Sequence, residues 1–260
     1  VNAPDLSAVV PFYGRQPASE DVANIKAFFA KRGVNASMKR VTSEKALELS
    51  AEEILSSQSP ELQTMLAFAL TWSDNLLAER MARLAAKSSG NEFNDNGVAI
   101  AFATLLIEMG IDPSKIIVKD ASGLSRENKV TANVMAQLLY KIHSDPVLAK
   151  LIDGLPVGGE TGTLRRRYVE TAPDAVGLVK AKTGTLTGTV SLAGYVQSGD
   201  REYVFVIISD KHPRTYSAAK RARATVDRIL GKIAAPLLPQ PAPQISPEPV
   251  ATPAEVVANS

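Results

Sequence analysis

Two short polar stretches contain residue types that could do chemistry together. Lys182-Thr183-Gly184 sets an ammonium, a hydroxyl and a residue without a side chain in succession, and Thr185 adds a second hydroxyl. A free carboxylate suits such a seat: a cation for its charge, hydroxyls to donate to its oxygens, and a glycine that lets a ligand approach the backbone. Ser73-Asp74-Asn75 offers a hydroxyl, a carboxylate and an amide, groups able to pass a proton or hold a peptide backbone. Each triplet also has a plain structural reading. Lys182 could simply end a strand and Gly184 sit in a turn. Ser73, Asp74 and Asn75 could simply cap a helix. Neither triplet alone decides a function.

The elements around them give these residues positions. Val179–Thr183 reads as a strand that opens into a Gly turn. Val190–Gln197 and Glu202–Ser209 are rich in Val, Ile, Tyr and Phe and read as strands joined by a hairpin at Ser198-Gly199-Asp200. Lys182 and Thr183 would then lie side by side on a strand facing a cleft. Thr215–Lys232 reads as a closing helix, with Ala219, Ala222, Val226 and Ile229 inward.

Upstream, Ser19–Lys31 reads as a helix with Val22, Ile25, Phe28 and Phe29 on one face and Gly33 as its stop. Lys39–Ser43 could be a short strand. Ser59-Pro60-Glu61 starts a helix carrying Leu62, Met65, Leu66 and Ala69. It leads to Ser73-Asp74-Asn75 and a second helix from about Leu76 to Lys87. Gly97–Met109 is an apolar helix stopped by Gly110, and Ile116–Val118 reads as a short buried strand. The polar Asp120–Asn128 loop is long for a connector. Thr131 caps a helix to about His143, read as a surface histidine at a helix carboxyl end. Asp145-Pro146 starts another short helix. Thr161-Gly162-Thr163-Leu164 repeats the tetrad at Thr183–Leu186, with Glu160 where the second copy has Lys182. The first copy reads as a turn or helix start. Arg165, Arg166 and Arg167 read as a solvated or ion-paired face, with room for one to line a cleft.

Composition bounds the rest. The 260 residues are 45% hydrophobic and 22% charged, with a formal net charge of +2. That suits a globular protein with a sizeable core and disfavours nucleic acid as a partner. The absence of Cys removes disulfides, thiolate chemistry and Cys-based metal sites. His143 and His212 are the only histidines and lack an acidic cluster, so neither a metal nor another cofactor is expected. No apolar run is long enough to span a bilayer. Residues 235–260 alternate proline with small residues, at Pro236, Pro239, Pro241, Pro243, Pro247, Pro249 and Pro253. Such a tail is expected to be disordered or polyproline-like.

Together, Ser73-Asp74-Asn75 and Lys182-Thr183-Gly184 match two of the three motifs that, with Ser-x-x-Lys, mark penicillin-binding proteins and class A β-lactamases. Longer strings sharpen the match: Asp120-Ala-Ser-Gly-Leu-Ser-Arg-Glu-Asn128, Leu155-Pro-Val-Gly-Gly-Glu-Thr-Gly-Thr-Leu164, Ala181-Lys-Thr-Gly-Thr-Leu-Thr-Gly188 and Leu192-Ala-Gly-Tyr195. From about Ser59 to Leu230 the chain resembles the D-alanyl-D-alanine carboxypeptidase/endopeptidase family of low-molecular-mass penicillin-binding proteins, the peptidase S13 type.

The resemblance implies an α+β transpeptidase fold: an antiparallel sheet flanked by helices, with a helical subdomain from Ser59 to about Ile152 that brings Ser73 and Asn75 beside Lys182. It implies serine acyl transfer on peptidoglycan stem peptides, β-lactams as inhibitors, and an extracytoplasmic location. Carried over, Ser73 relays protons to the leaving amine and Asn75 holds the substrate backbone. Lys182, Thr183 and Thr185 hold the terminal carboxylate across Gly184, and the Thr185 N–H forms part of an oxyanion hole.

One motif departs from the family pattern. The only Ser-x-x-Lys is Ser217-Ala-Ala-Lys220, downstream of Lys-Thr-Gly and read as a chance match on a helix. The expectation is a carboxyl-terminal part of the enzyme. Residues 1–18 would be a remnant of an upstream inserted region, 19–234 part of the peptidase domain, and 235–260 a tail. Such a piece would be inactive alone and prone to aggregate through an exposed sheet edge. Rival readings are a class A β-lactamase-like hydrolase, a non-catalytic peptidoglycan-peptide-binding protein, and a Ser-His-Asp hydrolase. The last lacks a Gly-x-Ser-x-Gly elbow.

Overall fold

The structure is a computed structural model that describes residues 19–35, 37, 41–42, 44–45, 48 and 59–234. The segments 1–18 and 235–260, the strand expected over Lys39–Ser43 (apart from 41–42) and the proline-rich tail lie outside them. The chain divides into two compact units, Val1–Ser59 and Pro60–Ser260.

In the first unit α1 spans Ser19–Ala30, and Gly33 takes a left-handed φ of +77° just beyond its end. The apolar face expected there is only partly covered. Val22 and Ile25 are half-buried, but Phe28 and Phe29 remain 52% and 36% exposed, packed edge to face on each other. The Arg32 guanidinium lies 3.7 Å from the Phe28 ring centroid, so a cation–π contact covers part of that surface.

The second unit is α+β. Its sheet is β3 (Val179–Leu186), β4 (Thr189–Ser198) and β5 (Arg201–Ser209), antiparallel in that order. Ser198 pairs with Arg201 across Gly199-Asp200, the expected hairpin, with Gly199 at φ +61°. The other turn falls later than expected. β3 continues through Gly184 and Thr185 to Leu186, and Gly188, at φ +88°, makes the reversal. Gly184 serves a different purpose: a Cβ there would stand 2.3 Å from Ser191 Oγ on β4. Gly194 is more tightly placed still, since its Cβ would meet the Lys180 carbonyl at 2.2 Å and Ala181 Cα at 2.7 Å.

A helix, α6 (Tyr216–Ala234), closes one face. Val226, Leu230 and Ala234 pack with Val179, Ala181, Leu192, Val196, Leu164 and Tyr168 in the main core. The buried stripe is rotated from the expected one. Ala218, Val226, Leu230 and Ala234 are buried, Ala219 and Ala222 half-buried, and Ile229 44% exposed. The reason is Asp227, which shares the buried face. Arg167 Nε donates to its Oδ1 at 3.0 Å, Arg167 Nη2 reaches the same oxygen, and the Thr171 hydroxyl donates to Oδ2 at 3.3 Å. One residue of the Arg run is therefore a buried ion pair that orients α6.

The helical part comprises α2 (Leu62–Trp72), α3 (Asn75–Ser88), α4 (Asp95–Glu108) and α5 (Ala132–Ser144). α2 begins two residues later than expected: Glu61, not Ser59, is its N-cap. Thr131 caps α5 as expected, accepting from the Val134 N–H at 3.3 Å. β1 (Ile116–Ile117) pairs with β2 (Lys129–Val130), but Ile117 is half exposed rather than buried. His143 ends α5 as a surface residue and finds a partner, Glu202 on β5, at 2.9 Å.

Asp227→Ala leaves the Arg167 guanidinium buried without its carboxylate and is expected to cost about 3–5 kcal/mol in a urea melt. A loss under ~1 kcal/mol would mean that the pair is effectively solvated. Gly194→Ala forces β3 off β4 and is expected to cost about 1–3 kcal/mol. Unchanged stability would contradict the close approach at Lys180.

Candidate active site

The geometry begins at the end of α2. Ser73 terminates that helix in the left-handed conformation, φ +59° and ψ +49°. Glycine usually occupies this position, because a side chain there costs roughly 1–2 kcal/mol. The next residue, Asp74, caps α3 by accepting from the Leu77 N–H at 2.9 Å. The capping reading of this triplet therefore holds for Asp74 and not for Ser73. Asp74 caps; Ser73 stands at a forced corner with its hydroxyl directed to the sheet. Strain of this kind at a non-glycine residue collects at functional sites.

Lys182 meets it there. Its Nζ donates to Ser73 Oγ at 2.6 Å and to the Thr183 carbonyl at 3.3 Å. Among the described residues no carboxylate pairs with this lysine. Burial lowers its pKa from the ordinary lysine value, since the charged form loses water. The result is a half-buried cation with neutral oxygen partners and capacity for an anion.

The pleat of β3 sends Lys182 and Thr183 to different partners rather than side by side. Thr183 Oγ1 lies 2.9 Å from Thr163 Oγ1, in the 3-10 turn Gly162–Leu164. Gly184 is held against Ser191. Thr185 is exposed, and its hydroxyl makes no hydrogen bond among the described residues. It lines an open groove of about 470 Å³ with Arg126, His212, Arg214 and Tyr216 among its walls. Asn75 is the first residue of α3, half-buried, and its amide is likewise without a hydrogen bond among the described residues. The structure thus joins Ser73, Lys182 and Thr183 by contact, sets Asn75 two residues beyond Ser73, and places Gly184 and Thr185 further along β3.

The supports come from the Gly-rich stretch that leads into the first Thr-Gly-Thr-Leu copy. Val157 bridges to Lys180, the Gly158 N–H donates to the Val179 carbonyl at 2.8 Å, and the Ala181 N–H to the Pro156 carbonyl at 2.9 Å. Residues 156–158 therefore pair with the outer edge of β3. The Thr71 hydroxyl donates to the Gly154 carbonyl at 2.8 Å, pinning the end of α2 to this same stretch.

On the other side, Glu79, one turn beyond Asn75, accepts from the N–H groups of Ala121 and Ser122, both at 2.9 Å. Inside that loop, burial alone would raise the Asp120 pKa. The N–H groups of Gly123 and Ser125, with Asn128 and Ser122, outweigh it and hold the carboxyl low. The loop's Arg126 donates to the Thr187 carbonyl at 3.1 Å, so it reaches the β3–β4 turn. Thr163 and Glu79 were missed as site residues. The repeated Thr-Gly-Thr-Leu was the one signal that could have found Thr163.

Ser217 and Lys220, the Ser-x-x-Lys pair, are exposed on α6. The Ser217 hydroxyl lies 3.2 Å from that of Thr215, and Lys220 makes no hydrogen bond among the described residues.

Known proteins resemble this chain in sequence and in fold. The relative named carboxypeptidase DacB of Mycolicibacterium smegmatis is 39% identical over 180 residues, 67% of this chain and 39% of that protein. A D-alanyl-D-alanine carboxypeptidase of Actinomadura sp. is 33% identical over 167 residues, 62% of this chain and 31% of that protein. The chain thus spans two-fifths or less of the length of these relatives. Penicillin binding protein 4 of Haemophilus influenzae, solved with a β-lactam, superposes with a TM-score of 0.58 at 28% identity over 64% of this chain and 40% of its own. A predatory endopeptidase of Bdellovibrio bacteriovorus shares the fold, with a TM-score of 0.57 at 19% identity over 84% of this chain and 59% of its own. Residues 8–233 match the family model described as D-Ala-D-Ala carboxypeptidase 3 (S13), and the chain belongs to that family.

Proposed function

We propose that this chain supplies the carboxylate-binding and proton-relay side of a serine-type D-Ala-D-Ala carboxypeptidase/endopeptidase. The substrate class is the peptidoglycan stem peptide, processed through an acyl-enzyme that β-lactams also form. The observation that carries the reading is Lys182, a half-buried cation whose hydrogen-bond partners are Ser73 Oγ and a carbonyl rather than a carboxylate.

An ammonium has only protons to give, so Ser73 Oγ must accept from Lys182. Its own O–H is then free to donate, toward the leaving amine of a peptide bond. The adjacent positive charge also makes that hydroxyl a better acid. The terminal carboxylate of the substrate provides the missing counterion, held by Lys182 with the Thr183 and Thr185 hydroxyls. Gly184 keeps β3 seated against Ser191 of β4, the Asn75 amide holds the substrate backbone, and the Thr185 N–H donates to the developing oxyanion. The nucleophile of the family pattern, a Ser-x-x-Lys upstream of Ser73, is not among these 260 residues. Peptidoglycan as substrate implies an extracytoplasmic site of action. No described helix is long and apolar enough to cross a membrane. The names of the relatives, carboxypeptidases and a penicillin-binding protein, support the same assignment.

Calorimetric titration with an N-acylated D-Ala-D-Ala peptide and its carboxamide tests this. The carboxylate form is expected to bind at least tenfold more tightly, about 1.4 kcal/mol, and Lys182→Met to abolish that preference. Equal binding of the two forms by the unaltered chain would sink the reading. Lys182 has a lowered pKa, so it loses its charge at a lower pH than an ordinary lysine. The preference therefore declines as pH rises, and does so at a lower pH than an ordinary lysine would set; a flat profile through pH ~10.4 would exclude Lys182 as the anion partner. Incubation with a labelled penicillin, followed by mass spectrometry, is expected to show no adduct on Ser217. An acylated Ser217 would overturn the view that the nucleophile lies elsewhere.

A further inference from the structure

The Thr-Gly-Thr-Leu tetrad occurs twice, and the proposed function uses only the copy at 183–186. The fold brings the two copies into contact through one pair of hydroxyls, Thr163 Oγ1 and Thr183 Oγ1, 2.9 Å apart. The first copy is fixed from several sides. Gly162 takes a left-handed φ of +51°, and a Cβ on it would stand 2.3 Å from the Thr71 carbonyl oxygen. Leu164 is fully buried in the main core. The Thr161 hydroxyl accepts from the Val157 N–H at 2.9 Å, and Val157 is bridged to Lys180. The Thr163 backbone therefore cannot drift away from β3.

We infer that Thr163 is a positioning residue that makes the site selective for an anionic substrate terminus, by donating its proton to Thr183. This rests on the reading that Thr183 receives a carboxylate. A hydroxyl has one proton and two lone pairs. If Thr183 donates to Thr163, it turns lone pairs toward the substrate, which repel a carboxylate. If Thr163 donates to Thr183, the Thr183 proton is free for the substrate. A carboxylate, having no proton, accepts only the second arrangement. It also draws both hydroxyls into one chain of donors, in which each bond polarises the next. A carboxamide makes no such demand, because its NH₂ can donate to a lone pair. Thr163 thus acts on specificity through the direction of a bond.

The test compares the carboxylate-to-carboxamide affinity ratio of the same D-Ala-D-Ala peptide pair across variants. Thr163→Val keeps the shape and removes the donor. It is expected to lower the ratio severalfold, up to about tenfold, the order of one neutral hydrogen bond. Thr163→Ser keeps the donor and is expected to restore the ratio. In a Thr183→Val background, Thr163→Val should change the ratio no further, an outcome that general loosening of the turn would not produce. Thr163→Ala carries the same expectation if the valine variant fails to fold. A ratio unchanged in the valine or alanine variant, or altered equally in both backgrounds, overturns the role of Thr163 and leaves the proposed function standing. No carboxylate preference in the unaltered chain overturns that function, and this inference with it.

Discussion

A half-buried cation that meets no carboxylate among the described residues is the constraint around which this structure is arranged. Removing an ammonium from water is costly, and proteins usually answer with a carboxylate or with neutralisation. Here Lys182 meets a serine hydroxyl and a carbonyl, which satisfy its protons but not its charge. Such a site persists only where the surrounding structure holds both partners in place. The left-handed conformation of Ser73 shows the same pressure on the other partner, since a serine occupies a backbone position suited to glycine.

The restraint is distributed over both sides of the contact. On the sheet side, residues 156–158 pair with the edge of β3 and Gly194 lets β4 close tightly against it. On the helical side, Thr71 binds the Gly154 carbonyl and Gly162 packs against the Thr71 carbonyl, so the end of α2 is fastened to the stretch that borders β3. Glu79 ties the Asp120–Asn128 loop to α3, and that loop reaches back to the β3–β4 turn through Arg126. Farther out, the Arg167–Asp227 pair fixes the rotation of α6 beneath the sheet. Stability and site geometry share these contacts.

Much of the fold was legible because its signals are local. Val, Ile, Tyr and Phe marked β4 and β5, and Ser198-Gly199-Asp200 marked the hairpin between them. Thr131 and Gly110 bounded helices by backbone chemistry that acts within a few residues. The misses are equally physical. The β3 turn was placed at Gly184 because glycine has two uses, and only the proximity of Ser191 distinguishes a close-packed strand glycine from a turn glycine. The inward stripe of α6 differs from the apolar periodicity because a distant arginine makes Asp227, a polar residue, part of the buried face.

The sequence by itself determined the residue types at the candidate site, the order of the motifs and the family that they mark. Those properties reside in short strings, each readable without its neighbours in space. Only the tertiary structure decided which groups meet. Ser73 and Lys182 are 109 residues apart, and Thr163 and Thr183 are 20 apart on different elements. No periodicity or propensity encodes a contact of that kind. It arises when the packing of α2, the 154–164 stretch and β3 closes at once, and the direction of each hydrogen bond then follows from which group has a proton to give.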